Sequence, residues 1–225
     1  MQRTVLIVED EAILREIMKD YLVNEGYAVL EAGDGKEALI QFKENEVHLV
    51  ILDIMLPELD GWSVCRRIRK ESNVPIIMLT ARADEDDTLL GFELGVDDYV
   101  TKPYSPAILL ARAKRLIDSR SSSPVMRNED TLTKNGIHVH FPSRTVTVNG
   151  ENIGLTHTEF EILTYLMRNP GIIITREQLI TKIWGYEFVG DERTINSHIR
   201  NLRQKLGDKA ICIATVVRSG YKFEG

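Results

Sequence analysis

Four short apolar runs in the first half of the chain each stop at a polar or charged side chain. Thr4-Val5-Leu6-Ile7-Val8 runs into Glu9-Asp10, and His48-Leu49-Val50-Ile51-Leu52 into Asp53. Pro75-Ile76-Ile77-Met78-Leu79 runs into Thr80, and Tyr99-Val100-Thr101 into Lys102-Pro103. Unbroken apolar runs of this length read as strands buried on both faces, the habit of a parallel sheet. An open parallel sheet binds its ligands outside the carboxyl ends of its strands. One edge should therefore collect three carboxylates, a hydroxyl and an ammonium. Asp at a strand end is ordinary taken singly, because Asp favours turns. The five positions together have a chemical use: carboxylates for a hard divalent cation, a cation and a hydroxyl for a phosphoryl group. Clustered carboxylates repel unless a cation sits among them. Oxygen donors without His or Cys point to Mg²⁺ rather than zinc.

The rest of residues 1–118 alternates strand with helix. Ile13, Ile17, Tyr21 and Leu22 recur at helical spacing, and Gly26 ends that helix. A strand follows over about Tyr27 to Ala32, then a helix after Asp34-Gly35 with Ala38, Leu39 and Phe42 inward. Asp60-Gly61 opens a helix carrying Val64, Cys65 and Ile68. Residues 84–94 read as a further helix ended by Gly95. Ser105-Pro106 starts the last helix, with Ser105 as N-cap. Five such units make a doubly wound α/β domain with a five-stranded parallel sheet.

Residues 119–131, beginning Ser119-Arg120-Ser121-Ser122-Ser123-Pro124, have no periodicity and read as a linker. The second half changes character. Gly136 to Phe141 and Thr145 to Val148 alternate as antiparallel strands, with Asn149-Gly150 as a turn. Thr156 and Glu159 form a capping box for a helix to Arg168. A second helix spans Thr175 to Trp184, and a third, capped by Asp191, ends near Leu206. Two strands, about Ile211 to Val217 and Tyr221 to Phe223, close the chain. Sheet, three helices and hairpin make an α+β winged helix-turn-helix.

Charge separates the halves. Residues 1–118 carry −9 and residues 119–225 carry +3, within a net −6. An acidic half and a mildly basic half point to different partners. Cys65 and Cys212 fall in different halves and read as reduced thiols, which with no evident signal peptide or membrane span implies a cytoplasmic protein.

The motifs Val8-Glu9-Asp10-Glu11, Leu52-Asp53-Ile54-Met55-Leu56-Pro57 with Asp60-Gly61, Leu79-Thr80-Ala81 and Asp97-Asp98-Tyr99-Val100-Thr101-Lys102-Pro103 resemble the receiver domain of bacterial two-component response regulators. The resemblance implies a flavodoxin-like receiver in which Asp53 accepts a phosphoryl group from a phosphohistidine on a sensor kinase. Asp10, Asp53 and the Met55 carbonyl would ligate Mg²⁺, with Glu9 helping through water. Lys102 would hold a phosphoryl oxygen and form a cis peptide with Pro103, while Thr80 and Tyr99 would be the switch. It also implies slow autodephosphorylation, with Met55 and Arg82 flanking the water path. A dimer face would carry Asp98 with Arg112 and Glu93 with Lys114. There the chain departs from the family at Thr88 and Ile108, where a basic and an acidic residue are usual.

In the third helix, Ile195, Ile199, Leu202 and Leu206 share one face. Arg193, Ser197, Arg200 and Gln204 point the opposite way, beside Asn196 and Asn201, and Arg203 and Lys205 flank them. That composition suits base edges and phosphates in a major groove. Arg193 to Leu206, with Leu155-Thr156, Glu159-Phe160, Arg176-Glu177-Gln178-Leu179 and Gly220-Tyr221, resembles the OmpR/PhoB family. The resemblance implies DNA contacts from Arg193, Thr194, Ser197, His198, Arg200, Asn201, Arg203 and Lys205, on direct-repeat sites in double-stranded DNA. His198 reads either as a packing or as a phosphate-contacting residue. The loop Gly185 to Gly190 would meet RNA polymerase. In the wing, Val216-Val217-Arg218-Ser219-Gly220-Tyr221 puts the arginine one position closer to the tyrosine than is usual. Either the turn is shorter or Arg218 points elsewhere, leaving its minor-groove role open.

The expected plan is a receiver over 1–119, a flexible linker over 120–132 and a winged helix over 133–225. The expected function is a phosphorylation-activated regulator of transcription that dimerises when phosphorylated. The rivals are an aspartyl-phosphate phosphatase, which would carry an acid/base Asp where Met55 stands, and a pure phosphorelay carrier, which would not need the winged helix. The chain is expected not to be a dedicated enzyme.

Overall fold

The computed structural model describes residues 2–81, 92–118, 130–185, 188 and 192–225. Arg82, Thr88, most of the helix expected over 84–94, most of the expected linker, and Asp191 lie outside the described residues. The chain forms two compact units, Met1–Ser121 and Ser122–Gly225.

The first unit is built on β1 (Thr4–Val8), β2 (Ala28–Ala32), β3 (Leu49–Asp53), β4 (Ile76–Thr80) and β5 (Asp98–Thr101). All pairs are parallel, in the order β2-β1-β3-β4-β5. Every residue of β3 and β4 is buried, which accounts for their unbroken apolar sequence. The register sets Val8 beside Leu52, Asp53 beside Leu79 and Thr80 beside Thr101. The polar residues that end the runs therefore meet at one edge.

Four described helices cover the sheet: α1 (Ala12–Asn24), α2 (Gly35–Glu44), α3 (Gly61–Glu71) and α4 (Pro106–Asp118). Met18 and Leu22 of α1 and Leu109, Ala113 and Leu116 of α4 share one core with Val5, Ile7, Ile51, Leu79 and Val100. Asp34 caps α2 by accepting from the amides of Lys36 and Glu37, and Asp60 caps α3 through Ser63. Gly61 lies so close to the end of β3 that a Cβ there would overlap the Asp53 carbonyl oxygen. The fit of α3 against the sheet thus positions Asp53.

The second unit opens with an antiparallel sheet, β6 (Thr131–Lys134), β7 (Ile137–His140), β8 (Thr145–Val148) and β9 (Glu151–Ile153), in sequence order. Asn135-Gly136 and Asn149-Gly150 make two of its three turns, with positive φ at all four residues. β6 includes Thr131 and Leu132, which the sequence assigned to the linker. Next come α5 (His157–Arg168), β10 (Ile174–Thr175), α6 (Arg176–Trp184) and α7 (Arg193–Leu206). The Thr156–Glu159 capping box is present, and a second one, Thr175 with Gln178, starts α6. Residues Gly207–Cys212 form a 3₁₀ turn, so Ile211 is not in the strand expected for it. β11 (Ile213–Val216) and β12 (Gly220–Phe223) form the wing hairpin, and β10 pairs with β12. Gly220, at φ 155°, crosses β10 so tightly that a Cβ would overlap the Ile174 carbonyl oxygen.

Candidate phosphoryl pocket and nucleic-acid interface

At the carboxyl edge of the sheet, Lys102 Nζ lies 2.6 Å from Asp53 Oδ2 and 2.7 Å from Glu9 Oε2. Residues 93 and 49 positions apart in sequence thus meet at one ammonium. Asp53 and Glu9 are buried, whereas Asp10 is exposed. One carboxylate oxygen from each of Glu9, Asp10 and Asp53 lies within 4.8 Å of the others. Glu9 Oε1 is buried and has no hydrogen-bond partner among the described residues. An all-oxygen cluster with an orphaned buried oxygen is a donor set suited to a hard divalent cation. The Met55 amide donates to Asp53 Oδ1 at 3.1 Å, which brings the backbone of residue 55 alongside the carboxylate. The Met55 side chain itself is exposed.

Burial pushes the Glu9 carboxyl above its ordinary pKa; the Lys102 hydrogen bond opposes this, and the Asp53 charge adds to it. For Lys102, burial disfavours the ammonium, but hydrogen bonds to Asp53 and Glu9 outweigh it and raise the pKa. Lys102 is therefore a permanent cation between two acids.

Thr80 is buried at the end of β4, and its carbonyl accepts from the Lys102 amide at 2.7 Å. The Lys102–Pro103 peptide is cis, as expected. Tyr99 is also buried and lies edge-on to Phe92, ring centroids 4.7 Å apart. The sequence put all five chemical positions at one edge, and the structure brings Glu9, Asp10, Asp53, Thr80 and Lys102 to it.

The expected dimer residues fare differently. Asp98 is fully buried, with Oδ1 on Arg112 and Oδ2 on Arg115 of the same chain, at 2.8 and 2.9 Å. Lys114 pairs with Glu25 of α1 at 2.6 Å. Ile108 is half exposed on α4, and Glu93 is exposed.

On α7, Arg193, Asn196, Arg200 and Gln204 are exposed, with Asn201 partly so. Five of the expected DNA-contact residues are engaged within the domain itself. Thr194, Ser197 and His198 are buried, and the His198 ring lies 5.6 Å from that of Trp184. The buried side of α7 is wider than its apolar stripe and takes in these flanking positions. Arg203 is turned to the wing, where Nη2 meets the Ile213 carbonyl at 2.5 Å and Thr215 Oγ1 at 2.8 Å. Lys205 Nζ lies 2.7 Å from the buried Glu159. Both cations are long enough to reach back into the domain.

Arg218 sits at the wing tip, exposed, at φ 62° in a three-residue turn from Val216 to Gly220. The sequence reading missed Asn196, Arg176 and Tyr221 as a cluster. Tyr221 Oη lies 2.7 Å and Arg176 Nε 3.2 Å from Asn196 Oδ1. No spacing rule links residues on two helices and a strand, so only the fold reveals it.

Comparison with known proteins agrees with both units. Residues 5–114 match the response regulator receiver domain, and residues 150–223 match the C-terminal domain of transcriptional regulatory proteins. The chain is 43% identical to the uncharacterized transcriptional regulatory protein YclJ of Bacillus subtilis (strain 168), over 98% of each chain. It is 41% identical to the sensory transduction protein RegX3 of Mycolicibacterium smegmatis, over 99% of each. Among solved structures it resembles DrrB, a Thermotoga maritima OmpR/PhoB homolog, with 32% identity and a TM-score of 0.54 over 100% of each chain. A receiver followed by a winged helix is the plan of a two-component response regulator that controls transcription. This chain belongs to the OmpR/PhoB-type members of that family.

Proposed function

We propose that Asp53 is the phosphoacceptor. A carboxylate oxygen attacks the phosphorus of a sensor kinase's phosphohistidine, the N–P bond breaks, and the imidazole leaves. The product is an acyl phosphate. The observation that carries this reading is the short contact of Lys102 with Asp53 inside the acidic cluster. Phosphoryl transfer needs positioning and charge neutralisation more than covalent help, and Lys102 supplies both for one equatorial oxygen. Glu9, Asp10, Asp53 and the Met55 carbonyl would hold Mg²⁺, which supplies the remaining neutralisation. Thr80, whose carbonyl accepts from the Lys102 amide, would follow the new phosphoryl group, and Tyr99 would respond to Thr80.

Receiver dimerisation on phosphorylation would use the face of Glu93, Asp98, Ile108, Arg112 and Lys114. Because Asp98 and Lys114 are paired within the chain, dimerisation requires those pairs to exchange or the interface to rest on Ile108. Arg193, Arg200 and Asn201 would meet direct-repeat DNA sites, with residues 185–190 contacting RNA polymerase. The protein acts in the cytoplasm and is no dedicated enzyme; autodephosphorylation is slow because exposed Met55 offers no base to water.

The test is incubation with a small acyl phosphate and Mg²⁺, read by intact mass. The native chain should gain one phosphoryl group and Asp53→Asn none. Full labelling of Asp53→Asn would remove the assignment, and rapid multiple turnover by the native chain would favour a phosphatase.

A further inference from the structure

Asn196 lies on the exposed stripe of α7, one turn before Arg200. A free Asn amide in the major groove reads adenine with both its ends, donating to N7 and accepting from N6. Here one end is already occupied. Oδ1 accepts from Tyr221 Oη at 2.7 Å and faces Arg176 Nε at 3.2 Å. An arginine Nε–H cannot accept, so chemistry fixes which end of the amide faces it. Tyr221 is held in place in turn: it is buried, pairs with Ile174 across the sheet, and carries the Arg176 and Arg203 guanidinium groups 5.2 and 5.8 Å from its ring centre. Wing, α6 and α7 thus lock the Asn196 carbonyl inward and leave its NH₂ as the outward group.

We infer that Asn196 is a specificity-determining residue that presents only donors to DNA and selects a keto base, guanine or thymine, over adenine or cytosine. Guanine O6 and thymine O4 are acceptors where adenine N6 and cytosine N4 are donors. Against cytosine the outward NH₂ would meet only another NH₂; adenine offers it the single acceptor N7 beside the like-signed N6 amine, without the second bond that a free amide would make to N6. The inference rests on the reading of α7 as the groove-facing helix, and Arg200 separates the two.

The experiment selects double-stranded DNA from a library with a randomised site, using the full chain and its Asn196→Asp, Arg176→Ala/Tyr221→Phe and Arg200→Ala variants, with thermal melts to confirm folding. The native chain should show one position where keto bases are favoured about tenfold, a typical gain for one good base contact. Asn196→Asp is near-isosteric, keeps both internal partners and replaces the outward donor with an acceptor, so it should turn that position toward amino bases. Arg176→Ala/Tyr221→Phe frees Oδ1 and should turn it toward adenine. An adenine or cytosine preference in the native chain at the position Asn196→Asp alters overturns the inference. So does a uniform loss of affinity in Asn196→Asp with sequence preference unchanged, the mark of a phosphate contact. If Arg200→Ala changes preference at another position in these cases, the groove-facing reading of α7 survives and only the role of Asn196 falls. If Arg200→Ala too leaves every position unchanged, both fall.

Discussion

Asp10→Asn should change stability with opposite signs according to whether Mg²⁺ is present. In the metal-free protein, Asp10 faces two other carboxylates whose nearest ligand oxygens are within 4.8 Å. Two unit charges at that distance repel by about 3.5 kcal/mol at an effective dielectric of about 20, and by about 0.9 kcal/mol in bulk water. Asp10 is exposed, so the lower figure is closer, and Lys102, paired with both neighbours, offsets part of their charge. The Asp10→Asn substitution should therefore stabilise the metal-free fold by about 1 kcal/mol. With Mg²⁺ the native protein gains RT ln(1 + [Mg²⁺]/Kd), about 2.7 kcal/mol at a hundred times Kd, and the variant loses most of that increment. Urea unfolding in EDTA and in excess Mg²⁺ measures both numbers. The two stability orders should cross: variant above native in EDTA, native above variant in Mg²⁺. A variant that is less stable in EDTA, or that keeps the full Mg²⁺ increment, would refute the repulsive cluster and its role in holding the ion.

Arg203→Ala should cost the winged-helix unit about 2 kcal/mol, through lost charge-assisted hydrogen bonds to Ile213 and Thr215; it should leave the salt dependence of DNA binding unchanged, whereas a slope reduced by about one would restore Arg203 as a phosphate contact. Gly220→Ala should lower the melting temperature of the same unit by several degrees, because its Cβ would overlap the Ile174 carbonyl; an unchanged melt means the wing can yield there. Cys65 is buried, and burial pushes its thiol up to about 11, so it should resist alkylation at pH 8 until the protein unfolds. Mass-mapped labelling of Cys65 in the native state at the rate of a free thiol would contradict that.

The pocket was legible because each of its residues ends a strand, and strand ends in a parallel sheet share an edge whatever the connections. Capping residues were legible for a similar reason: the Thr156–Glu159 box is a local contact encoded within four positions. The face of α7 was only partly legible. A helical wheel gives the direction in which a side chain leaves the axis, but not how wide the buried side is or how far a long cation bends. The burial of Thr194, Ser197 and His198 turns on the first point, and the inward turn of Arg203 and Lys205 on the second. Asp98–Arg112 and Lys114 show another limit. Opposite charges in a sequence indicate pairing, but not whether the partner belongs to the same chain. β6 escaped notice because Thr131-Leu132-Thr133-Lys134 is short and half exposed, and abuts a polar stretch with no pattern.

Glu159 Oε2 accepts both from the Thr156 amide that starts α5 and from Lys205 near the end of α7. A single atom therefore links the far end of α7 to the first turn of α5. α7 cannot slide along its axis or unwind from its tail without also uncapping α5. Its outward side chains are consequently set at fixed heights relative to the domain core, and under the proposed reading the helix would meet DNA as a ruler held at one end. Differences between DNA sites would then be met by the DNA's own bending and twisting, or by the wing tip, more than by adjustment of the helix.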